Sequence, residues 1–323
     1  MTATQAVCEE ETSSYARALA AYQDRRLEEA LTYAQEAARQ RPDHPDAQVL
    51  LGELYYLHQD LTRAKESWQK ALKLAPSRQD VRERLEKLEK ESQVERSLTR
   101  SDTHPFIVRF AEGQSSVDLG SIRVLLRDAY RMIGQHFEYL PDDRIAVILY
   151  PAADSDRVKG ISHQVGGLYD GKIRLPLDNH SGSIQRMQGI LWHEYTHALV
   201  HDLSKGRCPA WLNEGIATVQ ESRVYPIDLS LARKALEAKK MVGWNEYWDK
   251  PYPTDETQRY LYYQQAYLIA RYFSSRWGWR QMVSLLNRLG QGYPLGDAIR
   301  AEYKIDPAVL EKEWLQWTRR QLA

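Results

Sequence analysis

From Ser14 to Pro76 small and apolar residues recur at three- and four-residue steps, the spacing of one buried helix face, and prolines 42 and 76 interrupt the pattern. A charged helix is expected over 79–98, with Val81, Leu85, Leu88 and Val94 along one side of a run that alternates in sign and reads as solvated. Near 99–105 the pattern turns from helical to mixed. Residues 106–110 read as a short strand closed by Gly113, and 117–138 as a helix carrying Ile122, Leu125, Leu126, Ala129, Ile133 and Phe137. The β-branched run 145–150 reads as a buried strand, and 166–175 as a hairpin turning at Asp170-Gly171. Residues 190–205 contain neither Gly nor Pro and carry Ile190, Leu191, Ala198, Leu199 and Val200, which predicts a buried helix. Pro209 opens another apolar-periodic stretch ending at Glu221, and helices follow at 229–240, 260–275, 279–289, 294–301 and 307–321. A run of helices, a few strands and a second run of helices place the chain in the α+β class.

The first run repeats itself. Gly52, Tyr55, Ala64, Trp68, Ala71 and Pro76 stand 34 residues after Ala18, Ala21, Ala30, Ala34, Ala37 and Pro42. That period and those positions resemble a pair of tetratricopeptide repeats, the first degenerate at its aromatic positions. The helix at 79–98 would cap them, since a terminal repeat needs a polar outer surface. The domain reading is therefore a polar, disordered lead-in over 1–13, helical repeats and cap over 14–98, and a second domain over 99–323. Two roles stay open for the repeats: packing against the next domain, or holding a peptide or protein partner.

Length and composition narrow the function classes. At 323 residues two domains fit, and 44 basic against 44 acidic residues give no reason to expect a nucleic-acid partner. Cys8 and Cys208 are too few for a disulfide framework. No apolar run approaches a membrane span and no leader-like segment opens the chain, so a cytoplasmic location is expected from the sequence as written.

The chemistry concentrates in His193-Glu194-Tyr195-Thr196-His197. Residues four apart on a helix lie one above the other, so His193 and His197 offer two imidazoles to one point, the spacing from which a single helix ligates zinc. Glu194 sits beside them as a general base. Glu214, in Trp211-Leu-Asn-Glu-Gly215, stands 17 residues after His197 and offers the third ligand of a His₂Glu set. The pairing of H-E-x-x-H with W-L-N-E-G-x-A resembles the gluzincin metallopeptidases, the thermolysin and aminopeptidase group of the peptidase MA superfamily. The resemblance implies a thermolysin-like catalytic domain, one bound Zn²⁺ held by His193, His197 and Glu214, and Glu194 as catalytic base in peptide-bond hydrolysis. It also implies that a Tyr or His of the helical C-terminal half stabilises the oxyanion; Tyr263 is favoured, with Tyr260, Tyr262 and Tyr267 as alternatives. The edge strand beside the cleft, supplied here by 166–175, would pair with extended substrate.

Other residues carry weaker expectations. Glu221 lies two turns after Glu214 and is a candidate partner for His193, or an exposed glutamate. His201 reads as a helix-end histidine, Cys208 as a packing residue, and His163 and His180 as loop histidines. The G-x-M-E-N stretch of aminopeptidase-type gluzincins is missing from the hairpin region, so the resemblance favours an endopeptidase, with the repeats recruiting substrate or partner. The alternative is a non-catalytic repeat scaffold carrying a metallopeptidase-like fold.

Overall fold

Three of the first four helices start where the preceding residue's side chain takes up a free N–H of the first turn. Ser13 accepts from Ala16 at the head of α1 (Ser14–Gln23), and α2 (Leu27–Gln40) follows directly. His44 accepts from Ala47 ahead of α3 (Pro45–Leu57), and Asp60 from Arg63 ahead of α4 (Leu61–Leu74). Ala18, Ala21, Ala30, Ala34, Ala64 and Ala71 are wholly buried, and a Cβ added at Gly52 would overlap the Trp68 ring, so the repeat's small positions are where helices touch. The fifth helix, α5, spans Gln79–Glu95.

The computed structural model describes residues 13–111, 118–151, 168–177, 183–244 and 253–323. Cys8, Gly113, His163, His180 and the lead-in up to residue 12 lie outside the described residues, as do the first two residues of the expected hairpin. The chain forms two compact units, Met1–Asp118 with Pro141–Asn179, and Leu119–Leu140 with His180–Ala323.

In the first unit the repeats enclose one hydrophobic core, and a mixed sheet of order β1-β2-β3-β5-β4 packs a smaller one around Val94, Leu98, Ala146, Ile148 and Tyr150. Its strands are β1 (Thr99–Thr103), β2 (Phe106–Phe110), β3 (Ile145–Pro151), β4 (Leu168–Tyr169) and β5 (Ile173–Leu177). β1 and β4 run antiparallel to their neighbours, whereas β2, β3 and β5 are parallel, with Val108 opposite Val147 and Leu149 opposite Leu175. β1 is the strand that sequence periodicity missed, because Thr-Arg-Ser-Asp-Thr carries no apolar alternation. The expected turn is present: Gly171 takes φ 94°, open to glycine.

The reading of α5 as a solvated helix needs correction. Glu91 and Glu95 are buried in a network fastening the helix to the sheet. Arg174, wholly buried on β5, donates to Glu91 Oε1 at 2.8 Å, Glu95 Oε1 at 2.9 Å and Asp170 Oδ1 at 3.0 Å. Its guanidinium also reaches the hydroxyls of Tyr56 on α3 and Tyr150 on β3, while Lys172 Nζ lies 3.3 Å from the Tyr56 ring centroid. Burial opposes ionisation of Glu95 and Asp170, but the neighbouring cations outweigh it and hold both carboxyls below their ordinary range.

Every regular element among the described residues of the second unit is a helix. Its elements are α6 (Leu119–Phe137), α7 (Ile184–Ser204), α8 (Ala210–Glu221), α9 (Ser230–Glu237), α10 (Glu256–Gly290), α11 (Leu295–Tyr303) and α12 (Pro307–Leu322). Gly278, at φ 81°, breaks α10 near the expected gap between two helices. Trp211, Trp244, Trp314, Tyr195 and Phe273 fill the core. No helix among the described residues is long and apolar enough to cross a membrane.

Candidate metal centre

α7 runs from an N-cap at Ser183 to a left-handed Lys205 at φ 50°, and Gly206 N–H closes the end on the His201 carbonyl at 2.9 Å. His201 is thus in the last turn, where the sequence put it. α7 is buried on all sides from Trp192 to Val200, apart from a small exposed edge at His193, and its two histidines face Glu214 on α8.

Two glycines set how closely the neighbours approach. A Cβ at Gly215, next to Glu214, would overlap the Ala266 carbonyl on α10, so α8 lies with its backbone against that helix. A Cβ at Gly189, one turn before His193, would sit 2.9 Å from Tyr225 Cβ and 3.3 Å from Glu221 Cγ. Glycine there lets the end of α8 come close enough for Glu221 to reach the first histidine.

His193, His197 and Glu214 converge as a group whose potential ligand atoms all lie within 4.8 Å of one another. Glu214 Oε2 is 3.4 Å from His193 Nε2 and 3.7 Å from His197 Nε2. The other nitrogen of each ring is already engaged: His193 Nδ1 with Glu221 Oε2 at 3.0 Å, and His197 Nδ1 with Asn213 Oδ1 at 2.9 Å. Oxygen partners on the outer nitrogens are how proteins fix the tautomer and plane of imidazoles that bind metal through the inner ones. Glu221 takes the partner role expected for it. Asn213 was missed, although it adjoins Glu214 in sequence and is the natural position from which α8 can hold the second ring.

Charge supports the same reading. Burial works against the His193 imidazolium, yet hydrogen bonds to Glu214 and Glu221 and the nearby Glu194 outweigh it and raise its pKa. Burial keeps the His197 pKa down despite the Glu214 charge. Burial likewise opposes an ionised Glu214, but the His197 and His193 charges lower its pKa overall. Glu194 is buried without such relief: desolvation, with Glu214 and Glu221 close by, pushes its carboxyl up to about 8 against the pull of His193. Its Oε2 has no hydrogen-bond partner among the described residues. Three acidic side chains crowd around two imidazoles, an arrangement that a divalent cation would relieve. The N₂O donor set with anchored rings fits zinc.

Tyr263 is half-buried on α10, its ring 6.2 Å from that of Tyr262 and one turn before the Ala266 contact with Gly215. Tyr262 and Tyr267 are buried, and Tyr260 is exposed. Cys208 is a half-buried thiol with a raised pKa, caused by burial.

No curated protein matches the chain closely enough to count as a relative. Residues 45–78, the better of the two repeats, match the tetratricopeptide repeat family, and residues 180–320, which include His193, His197 and Glu214, match the Peptidase MA superfamily.

Proposed function

We propose that this protein is a zinc-dependent peptidase of the gluzincin type, with His193, His197 and Glu214 as metal ligands and Glu194 as general base. The observation that carries the proposal is the convergence of two ring nitrogens and one carboxylate from α7 and α8 beside a buried carboxyl with an unpartnered oxygen. When bound, the ion supplies Lewis acidity toward the scissile carbonyl and lowers the pKa of water at the site toward about 7. Glu194 Oε2 takes the proton of the attacking water and passes it to the departing amine. Asn213 and Glu221 hold the imidazoles in one tautomer and plane, and Tyr263 donates to the oxyanion. Endopeptidase action is favoured over aminopeptidase action, and the repeats recruit a protein substrate or partner. The superfamily match over 180–320 supports the hydrolase class and leaves bond preference to experiment.

Digestion of an unbiased peptide mixture by wild type and by Glu194→Gln tests this reading. The wild type cleaves internal bonds, and the variant is slower by about 10²–10⁴-fold while retaining its metal. Equal digestion by both, or by neither when metal-loaded, would sink it.

A further inference from the structure

A cavity of about 490 Å³ lies in the first unit between α4, α5 and the first two strands, far in sequence from every residue of the metal centre. Leu61 and Leu88 are the only apolar residues of its lining, so a hydrophobic ligand finds little surface there. Four cationic side chains reach it from four different elements: Lys65 on α4, Arg96 at the end of α5, Arg100 on β1 and Arg109 on β2. Arg100 and Arg109 stand directly opposite each other in the antiparallel register, so both lie on one face of the sheet. Like charges in that relation weaken a sheet, and an anion between the two heads relieves them.

The carboxylates nearby do not cancel these charges. Arg100 gives Nε and Nη2 to Asp102 at 2.9 and 3.2 Å, which leaves Nη1 for another acceptor. Arg109 donates through Nη2 to the Gln59 carbonyl at 3.1 Å, and neither it nor Arg96 meets a carboxylate within ion-pair distance among the described residues. Of the three acids in the lining, Asp60 is engaged at the start of α4, where it accepts from Arg63 N–H at 3.0 Å. Glu95 is wholly buried, and its charge is met from the sheet side by Lys172 and Arg174. Glu66 alone is left, and it is exposed. The cavity therefore has an uncompensated basic end formed by the guanidinium groups of Arg96, Arg100 and Arg109. Its α4 wall carries Thr62, Glu66 and Gln69, all exposed and all able to hydrogen-bond.

We propose that this cavity binds a phosphate monoester with a small hydroxyl-bearing body, its phosphate among Arg96, Arg100 and Arg109 and its hydroxyls against Thr62, Glu66 and Gln69. Guanidinium forks arriving from a helix end and two strands match the several oxygens of one tetrahedral dianion, where a carboxylate offers only two. The volume lies within the range of small-molecule sites, about 300–1,000 Å³, and leaves room for more than a bare phosphate. Glu66 disfavours a second anionic group on the α4 wall and accepts from a hydroxyl. Since every lining residue belongs to the first unit, the proposal is independent of the peptidase reading.

Calorimetric titration of the full-length chain tests the site, with glucose 6-phosphate, glucose and inorganic phosphate as probes. Saturable one-to-one binding of glucose 6-phosphate is expected, with inorganic phosphate at least about tenfold weaker and glucose at least about a hundredfold weaker. Arg109→Lys keeps the charge and loses the fork, and should weaken binding of the ester by about tenfold. Arg96→Gln and Arg100→Gln, at exposed positions, should each weaken it by about threefold with unchanged circular dichroism, which keeps the test alive if the Arg109 variant fails to fold. No saturable heat from glucose 6-phosphate up to about 10 mM would mean a cavity filled by water alone and would overturn the proposal. Inorganic phosphate binding as tightly as the ester would mean an adventitious ion only, and would overturn it too. So would folded variants that bind the ester like the parent, since the ester would then sit elsewhere.

Discussion

Two buried clusters of charge, one in each unit, are built from similar residues and behave differently. Around Arg174 three carboxylates, Glu91, Glu95 and Asp170, meet three cations, Arg174, Lys172 and Lys87. Around His193 three carboxylates, Glu194, Glu214 and Glu221, meet only two imidazoles. The first cluster is closed: its carboxyls are held low by their neighbours and it joins helix to sheet. The second is open: burial first, and then the nearby Glu214 and Glu221, push the Glu194 carboxyl up. A balanced cluster is structural. One that is short of positive charge, with its ring nitrogens turned to a common point, is a place for a cation.

The sharpest way to break the comparison is to unbalance the closed cluster. Arg174→Met leaves Glu91 and Glu95 buried without their main partner, and should cost about 3–5 kcal/mol of first-unit stability by urea denaturation. A loss below about 1 kcal/mol would mean that the network is decorative. The same reasoning warns against deleting residues 1–98 to probe the repeats: that would strip Glu91, Glu95 and Tyr56 from Arg174 and confuse recruitment with folding.

The pH dependence gives a smaller and signed effect. Glu95 and Asp170 have folded pKa values below their ordinary 4.5 and 3.8. The unfolded chain therefore takes up protons first on acidification, and first-unit stability should fall as pH drops below about 4.5. Lys172 is wholly buried, and desolvation lowers its pKa from 10.5 to about 8. Between those values the unfolded chain holds the extra proton, so stability should rise with pH across that window. Lys172→Met should flatten the alkaline rise in a thermal melt series and, because the Lys172 charge also holds the Glu95 carboxyl low, shrink the acid limb; a flat wild-type profile from pH 8 to 10 would contradict the assignment.

The smallest expected effect runs the other way. In metal-free protein Glu194→Gln removes one of the crowded carboxylates, so it should be neutral or stabilising by about 1 kcal/mol in the presence of a chelator. Clear destabilisation would mean that the second cluster, too, is balanced.

Much of this was legible in the chain, for reasons tied to range. The helix of His193 and His197 could be read because i,i+4 geometry is local, and Glu214 because its motif is contiguous. Repeat helices declared themselves through small residues at a fixed period, and the break at Gly278 falls between the two helices expected over 260–275 and 279–289. What could not be read depends on partners distant in sequence. Glu91 and Glu95 look like solvated helix glutamates until Arg174, about 80 positions away, is seen between them. β1 is polar because it is an edge strand, and only pairing with β2 defines it. Gly189 carries no local signal, since its demand comes from Glu221 and Tyr225 packing across it.

The central claim is that two imidazoles of α7 and the Glu214 carboxylate of α8 hold one metal ion. Elemental analysis of the purified chain, beside Glu214→Ala and His197→Ala, tests it most directly. One zinc per chain in the wild type, lost in both variants while the helical signal is retained, is the predicted result. A folded wild type that takes up no zinc even when it is supplied, or zinc bound equally by all three proteins, would contradict it.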